Sequence, residues 1–505
     1  MNGEAGRRST ISEVESHVPA SGPKTSTSLL SGTSVLLASR LVVGLLGWAG
    51  TLLIARRLSD VSFGAFAFIF NLLGLLGLLA DFQTSRIVVR EVIEAGDDLD
   101  SVVGSFVTFR VALGAVTYAI AVAFVVLGNY PTVVVQGTLI GGLSFFVGSA
   151  TWALVTVSQA RLWLRTIAIS MVVAQAVQLA AIVALFVSHS GSLLRFVVPF
   201  VVYDVVTLVW MVIAVRRVVR VRPRVDASRW WRWLKEAAPL AVGSTLGTIY
   251  FRIDGVMLSK LGEGDQSKRL TAVGLYQIGY KFSDLLAFMA PALLGAVLPL
   301  LIRAFPDRGA EFRKTFRQAF VIFFAFSVFA TITFAVLCRP VIHTLFQPRY
   351  AGSVRPARLL IVGQSINLFT QLAFVSLVAS GRRRIYPIAT LCGVIANVSL
   401  NLVLIPRYSA TGAGIATIIT EVLVLAILGY AVRDLPIRPL PWRPIVVVAL
   451  SGAFLAGALL ALQPFVPWPV ALIAALAIYP GLLHVLRIDG PGGLIAFVRA
   501  TRFQE

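Results

Sequence analysis

The sequence predicts an all-α polytopic membrane protein with about fourteen transmembrane helices. Of the 505 residues, 57% are hydrophobic and only 13% are charged, and the mean hydropathy is +0.86. A soluble domain carries about 25% charged residues, so this chain lacks the charge that a fully water-exposed surface needs. Because the apolar stretches are continuous and do not alternate with polar residues, they favour helices over a β-barrel.

The apolar stretches follow one another along most of the chain. Each has about 18 residues or more, enough to cross a hydrocarbon core about 30 Å thick at 1.5 Å per residue. The predicted spans are residues 29–54, 63–80, 102–127, 132–157, 167–187, 193–215, 237–258, 272–301, 316–337, 357–379, 385–405, 410–432, 445–462 and 468–485. Residues 1–28 are rich in Ser, Gly and Thr and lack the order of a signal peptide, so they are predicted to form a disordered cytoplasmic tail.

Lys and Arg are concentrated in the loops that lie on the same side of the membrane as the N-terminus. The richest of these loops are residues 216–235, 303–317 and 382–384. The positive-inside rule makes this side cytoplasmic, which predicts a multi-pass protein of the cell (inner or plasma) membrane with both termini in the cytoplasm. These loops explain the formal net charge of +21 without nucleic acid as a partner.

The long basic loop divides the chain into two halves of six spans each. Residues 29–215 are predicted to form the N-terminal half, 216–236 a basic, Trp-rich cytoplasmic connector, and 237–432 the C-terminal half; residues 433–505 hold the last two spans and a cytoplasmic tail. The halves are weakly similar, since FGAF at residues 63–66 and VGLY at 273–276 open the second span of each. Six-span repeats are common in transporters, which bind substrate between the halves.

The connector combines indoles with cations. Trp230, Trp231 and Trp233 interleave with Arg229 and Arg232. On a helix this pattern is typical of a segment in the membrane interface, with indoles at the level of the headgroups and cations facing anionic lipid. A docking site for a cytoplasmic partner is the alternative.

Four cations fall inside predicted spans: Arg40, Arg110, Arg252 and Lys281. A charge at the bilayer centre costs at least about 2.5–3.5 kcal/mol, and such residues usually face a cavity or a partner inside the protein. We therefore predict that these four residues bind an anionic group of the substrate. Arg110 lies about two turns inside its span, so an alternative is that its side chain reaches back to the inner surface.

Four acids also fall inside predicted spans: Asp204, Asp254, Asp284 and Glu421. We predict that they either bind a coupling proton or ion or pair with a cation. Lys281 and Asp284 share one helix face, so a pair that neutralises itself is the alternative for both. Amide side chains recur at helical spacing in spans ten and eleven, where they typically hold helices together.

The sequence gives no support to catalysis. It contains no GxxxxGK[ST] motif for a nucleotide, and no GxSxG or HExxH motif. The four His and two Cys residues are scattered without the spacing of metal ligands. We therefore expect a transporter and not an enzyme, with no cofactor, no metal and no bound nucleotide.

Three stretches of the sequence carry a family resemblance. The first is LLIARRLSDVSFGAFAF at residues 52–68, where a span ends in Ala-Arg and a Gly-aromatic motif opens the next. The second is the turn with Phe346 and Tyr350, followed one span later by ASGR at 379–382. The third and most specific is NLVLIPRY at 401–408 followed by GAGIAT at 412–417. Together these stretches resemble the polysaccharide-biosynthesis flippases of the multidrug/oligosaccharidyl-lipid/polysaccharide exporter superfamily.

This resemblance implies two six-helix lobes around a central cationic cavity that opens alternately to each side of the membrane. It implies a flippase that moves a polyprenyl-(di)phosphate-linked oligosaccharide or glycolipid precursor from the cytoplasmic to the outer leaflet for cell-surface polysaccharide. Membrane lipids and glycan-biosynthesis enzymes are the expected partners. The last two spans would lie outside the lobes.

Three alternatives remain open for the function. Lipid II flippases, which carry the peptidoglycan precursor, typically have Arg-Asp soon after the first-span glycine, whereas here Gly47 is followed by Trp48 and Ala49. Cation-coupled drug exporters usually have twelve spans and less basic lobes. A non-transporting scaffold for glycan enzymes would use the connector as its docking site.

Overall fold

The computed structural model describes residues 23–305, 309–382, 384–437 and 439–486, and all of the regular structure in these ranges is helical. The helices are α1 (Pro23–Arg57), α2 (Asp60–Asp81), α3 (Thr84–Glu94), α4 (Leu99–Leu127), α5 (Thr132–Gly142), α6 (Ser144–Ala160), α7 (Leu164–Val187), α8 (Leu193–Val215), α9 (Ala227–Leu261), α10 (Gln266–Ala304), α11 (Ala310–Phe346), α12 (Val354–Ala379), α13 (Ile385–Ala431), α14 (Trp442–Leu462) and α15 (Trp468–Val485). Short 3-10 helices, Gly96–Asp98 and Pro348–Ser353, precede α4 and α12. Most of the predicted N-terminal tail and the end of the C-terminal tail lie outside the described residues, and α1 begins six residues before the predicted first span.

Eleven helical segments of the described chain are long and apolar enough to cross a membrane. Helix α13 counts once among them, although its backbone turns sharply at Ser409 (φ 48°, ψ −131°), between the predicted spans eleven and twelve. Helices α9 and α10, which carry half of the eight predicted intramembrane charges, are not among the eleven. The all-helical multi-pass fold is therefore confirmed, and the count of fourteen stays a prediction.

The helices of each half of the chain pack mainly against one another. In the N-terminal half α1 packs on α7, α7 on α8, and α6 on both α4 and α8. In the C-terminal half α12 packs on α10, α11 and α13, and α13 also packs on α9. Helix α2 joins the halves by packing against α9 and α10, while α14 and α15 lie on α11. The boundaries predicted for the two lobes stay a prediction.

At one end of the molecule, which we call the closed end, the two halves are hydrogen-bonded to each other. Arg56, at the end of α1, donates to the carbonyl oxygens of Thr344 and Leu345, each at 2.6 Å. The Tyr350 hydroxyl donates to the carbonyl oxygen of Ala55 at 3.0 Å. Lys260, at the end of α9, donates to the carbonyl oxygen of Gly128 in the turn between α4 and α5.

The backbones of α2 and α10 touch directly at this closed end. A Cβ atom added to Gly64 would lie 1.9 Å from the carbonyl oxygen of Leu270, and one added to Gly274 would lie 3.1 Å from the Cα of Gly64. The two glycines are the equivalent positions of the weak sequence repeat. Only residues without a side chain permit this approach between the halves.

The connector differs from the predicted interfacial helix. Its tryptophans belong to the first turns of α9, and Trp233 is fully buried against Phe106 and Phe109. The indole N–H of Trp233 donates to Glu91 at 2.6 Å, and that of Trp230 donates to Ser105 at 3.0 Å. These two indoles therefore face protein and not lipid, although Trp231 is 60% exposed.

The arginines of the connector are also held by the protein. Arg229 forms ion pairs with Glu91 (3.3 Å) and Asp98 (2.9 Å), and Arg232 forms one with Glu91 (2.9 Å). The backbone N–H of Arg220 donates to Asp100 at 2.9 Å. Acids of the segment between α2 and α4 thus clamp the start of α9 to the N-terminal half.

Candidate functional site

A large cavity lies mainly among helices of the N-terminal half, and we call it the N-terminal cavity. Its volume is about 1190 Å³, and residues of α1, α2, α4, α6, α7 and α8 line it. Three charged residues of the C-terminal half, Arg252, Lys281 and Asp284, complete its wall. The lining extends to Arg86 and Gln159, at the end of the molecule opposite the closed end, which we call the open end.

The second cavity lies toward the C-terminal half and has a volume of about 520 Å³; we call it the C-terminal cavity. Amide side chains of α10 and α12 line it: Gln277, Gln364, Asn367 and Gln371. Both cavities share one wall, made by Thr51, Phe70, Phe200, Arg252, Lys281 and Asp284. The close contact of Phe70 with Phe200, whose ring centroids are 4.2 Å apart, narrows the passage between them.

Arg252 and Lys281 are the cations of this shared wall. The guanidinium of Arg252 lies against Gly74, where an added Cβ would come within 2.6 Å of Nη1, so the glycine makes room for the charged group. Among the described residues, neither Arg252 nor Lys281 has an ion-pair partner or a side-chain hydrogen bond. The pair of Lys281 with Asp284, which the sequence raised as an alternative, is not formed within 4.0 Å, although the two charges attract each other. Both cations are therefore available to an anion in the cavity.

The other two predicted cations lie elsewhere. Arg110 lines the N-terminal cavity, but it is only 2% exposed and forms an ion pair with Asp81, to whose carbonyl oxygen it also donates at 3.0 Å. The Arg110 side chain does not reach back to the inner surface, because it pairs inside the protein with the carboxylate of Asp81 at the end of α2. Arg40 is exposed and belongs to the lining of neither cavity in the described chain.

Asp254 is buried in a cage of neutral groups between α9, α10 and α13. Its carboxylate accepts hydrogen bonds from the Tyr276 hydroxyl (2.6 Å), from Nδ2 of Asn401 (2.7 Å) and from the Thr417 hydroxyl (3.3 Å). Asn401 also donates to Asn397 at 3.0 Å, while its own Oδ1 is buried with no hydrogen-bond partner in the described part of the chain. A buried carboxylate beside an unused oxygen is an arrangement that suits a small cation or a proton.

The remaining predicted acids also lack a cationic partner within the described ranges. Glu421 is buried and accepts from Nδ2 of Asn367, 3.1 Å from each carboxylate oxygen. Asp204 lines the N-terminal cavity, and Asp284 lines both cavities. None of the four acids forms an ion pair within 4.0 Å in these ranges, although Lys281 and Arg252 lie close enough to attract the Asp284 carboxylate. No group of three or more His, Cys, Asp or Glu side chains arranged to hold a metal occurs among the described residues.

Three features of the site were missed by the sequence reasoning. Asp81 lies at the end of a span and gave no sign of its pairing with Arg110. Gln175 and Gln178 are buried on the cavity side of α7 and are joined by a hydrogen bond of 2.8 Å; their spacing of three residues on one helix face was the available signal. Trp48 also lines the cavity, and its indole N–H is buried without a partner in the described chain.

Comparisons with known proteins agree with this architecture. A family model described as "Polysaccharide biosynthesis protein" matches residues 29–305. The solved structure "Lipid II flippase MurJ, inward closed conformation" is similar with a TM-score of 0.69 and 11% identity, covering 90% of this chain and 98% of that one. No curated protein sequence matches significantly.

Transporters of the multidrug resistance MATE family, in the MOP superfamily, are similar as well. An inward-facing structure has a TM-score of 0.60 and 13% identity, with coverage of 79% of this chain and 98% of that one. An outward-facing structure has a TM-score of 0.53 and 13% identity, with coverage of 80% and 94%. At these identities the likeness establishes a shared fold.

Proposed function

Because the chain belongs to the polysaccharide biosynthesis protein family, we propose that it moves a polyprenyl-(di)phosphate-linked oligosaccharide or glycolipid precursor from the cytoplasmic to the outer leaflet. The family assignment agrees with the resemblance noted in the sequence. The observation that supports this cargo is the pair of unpartnered cations, Arg252 and Lys281, on the wall shared by both cavities. A diphosphate carries the negative charge and the acceptor oxygens that such cations bind through charge-assisted hydrogen bonds.

The arrangement of the ends suits alternating access. With the N-terminus in the cytoplasm, the closed end faces outward and the open end faces inward, so a headgroup would enter the N-terminal cavity from the cytoplasm. Residues 29–215 and 237–432 would act as two lobes that separate at the closed end, leaving α14 and α15 outside them. The connector, residues 216–236, would stay with the N-terminal lobe through its ion pairs with Glu91 and Asp98.

The described site shapes the roles that we assign to the predicted residues. Arg252 and Lys281 bind the diphosphate. Arg110 holds Asp81 and shapes the open end, and Arg40, which is exposed, meets the headgroup only before it enters. The peptidoglycan precursor remains the alternative cargo, because a lipid II flippase shares the fold. Glycan-biosynthesis enzymes remain proposed partners.

A leaflet assay in reconstituted vesicles tests this function. A labelled polyprenyl-diphosphate-linked N-acetylglucosamine is incorporated in both leaflets, and an impermeant reagent then destroys the label outside. We expect the whole pool to be consumed with the protein and about half without it. The same glycan on a monophosphate carrier should move at least tenfold more slowly, since half of the anionic group is missing. Labelled phosphatidylcholine moving as fast as the glycan would make the protein a non-specific scramblase and contradict the proposal.

We further propose that Asp254 binds the coupling proton or monovalent cation. Asp254→Asn keeps the shape of the side chain but removes its charge, so the stimulation of glycan flux by a Na⁺ or H⁺ gradient is expected to be lost. Asp97→Asn, at an exposed position before α4, is the control and should retain the stimulation. An undiminished response in Asp254→Asn would transfer the role to Asp284 or Glu421.

A further inference from the structure

The charges of the N-terminal cavity are distributed unevenly along its length. Its basic lining residues are Arg86, Arg110, Arg252 and Lys281, and its acidic lining residues are Asp81, Asp204 and Asp284. Arg110 is neutralised by Asp81, and Arg86 is exposed at the open end. The unpaired cations in the interior are therefore confined to the shared wall.

Asp204 lies on α8 and presents a carboxylate to the cavity. A Cβ atom added to Gly148 on α6 would lie 3.7 Å from Oδ1 of Asp204, so the backbone of α6 approaches this carboxylate at a residue that has no side chain. The Ser144 side chain is in hydrogen-bonding contact with the carboxylate. No cation of the described residues lies within ion-pair distance of Asp204, although burial of a lone carboxylate among helices is costly.

The rest of the lining beyond the shared wall offers neutral polar groups. Gln175 and Gln178 supply amides in the N-terminal cavity, where the N–H of Trp48 is also without a partner in the described chain. The C-terminal cavity adds five amides, of which Asn71 is on α2, and among the described residues it has no charged lining residue other than those of the shared wall. Amides both donate and accept hydrogen bonds, and they therefore match sugar hydroxyl and N-acetyl groups. They offer no counter-charge to a sugar carboxylate.

Resting on the proposed function, we propose that the glycan next to the diphosphate is neutral or carries an amino group, and that Asp204 excludes acidic sugars. When the diphosphate lies on Arg252 and Lys281, the first sugar enters a compartment in which, apart from Asp284 on the shared wall, the unpaired interior charge among the described residues is the Asp204 carboxylate. A uronic acid there meets a like charge in a poorly hydrated space, whereas hydroxyl and amino groups meet an acceptor.

Binding of three short-chain probes to the purified full-length protein tests this inference. The probes are farnesyl diphosphate, farnesyl-diphosphate-linked N-acetylglucosamine and farnesyl-diphosphate-linked glucuronic acid, and binding is followed by tryptophan fluorescence. We expect the N-acetylglucosamine probe to bind at least tenfold more tightly than the glucuronic acid probe. Asp204→Asn should raise the affinity for the glucuronic acid probe at least fivefold, because the like charge is gone. The control Asp97→Asn should leave the preference unchanged.

The outcomes separate this inference from the proposed function. If farnesyl diphosphate and both glycosylated probes fail to bind, the proposed function fails and this inference falls with it. If the diphosphate probe binds but the wild-type protein binds the two sugars equally, or prefers the acidic one, only the sugar selectivity is overturned. The wild-type comparison decides this even if Asp204→Asn does not fold.

Discussion

Simultaneous replacement of Arg252 and Lys281 by glutamine is expected to abolish the movement of polyprenyl-diphosphate-linked glycan in the leaflet assay. Hydrogen bonds to charged groups contribute about 1.5–3 kcal/mol each, so the loss of two cations should cost about 3–6 kcal/mol of binding. At about 1.4 kcal/mol per factor of ten, the affinity for the diphosphate should fall about 10²- to 10⁴-fold. Neither residue forms an ion pair within 4.0 Å in the described chain, so the change removes only their longer-range attraction to Asp284.

The matched control makes the same chemical change outside the cavities. Arg90 and Lys268 are exposed, and their joint replacement by glutamine also removes two positive charges. We expect this variant to keep wild-type flux, and both variants to elute as the wild type does on size exclusion. Wild-type flux in the variant that lacks Arg252 and Lys281 would refute the diphosphate site.

Gly64→Ala is expected to prevent the closed end from forming. The new Cβ would lie 1.9 Å from the carbonyl oxygen of Leu270 and 2.4 Å from its carbonyl carbon, which belong to the backbone of a helix and cannot swing aside. Overpacking of this kind costs about 1–3 kcal/mol or more, which lowers the population of the closed conformation by about tenfold to a hundredfold. Glycan flux should fall by a similar factor, because the cycle passes through this conformation.

Distance measurement between spin labels checks this expectation directly. Labels at Ser188 and Glu263, exposed at the closed end in opposite halves, should move apart in Gly64→Ala. The exposed Cys392 is first replaced by serine, while Cys338 is buried. Gly77→Ala on the same helix is the control, since its Cβ meets the Phe145 ring at an ordinary 3.9 Å. Unchanged label distances in Gly64→Ala would show that α2 and α10 can separate without opening this end.

The sequence predicted the features of the fold that depend only on the composition of short segments, such as the helices. Hydropathy predicted an all-helical chain, and the gap that it left between spans eleven and twelve contains Ser409, where the backbone turns sharply. The repeated glycines Gly64 and Gly274 were visible as a pattern, but their mutual contact was not, because two positions 210 residues apart leave no local signal.

The sequence could not predict which charged side chains form ion pairs with each other. Helical spacing raised a pair between Lys281 and Asp284 as an alternative, and no ion pair forms between them within 4.0 Å, whereas Arg110 pairs with Asp81 on another helix. The connector was assigned to the membrane interface because its own residues are amphipathic, but acids more than 120 residues earlier hold Arg229 and Trp233. Whether the cations of the shared wall bind the substrate stays a prediction for the variants above to decide.

The clamp at the start of α9 has a mechanical consequence. Helix α9 has 35 residues and is therefore about 50 Å long, and both of its ends are attached to the N-terminal half, the first turns through Glu91 and the last turn through Lys260 and Gly128. Pro239 lies inside this helix and lacks the backbone N–H that would continue its hydrogen bonding, so it is the position at which α9 bends most easily. Arg252 lies beyond Pro239 on α9, so a bend there would move this cation, which we propose to bind the diphosphate, relative to the first turns of the helix.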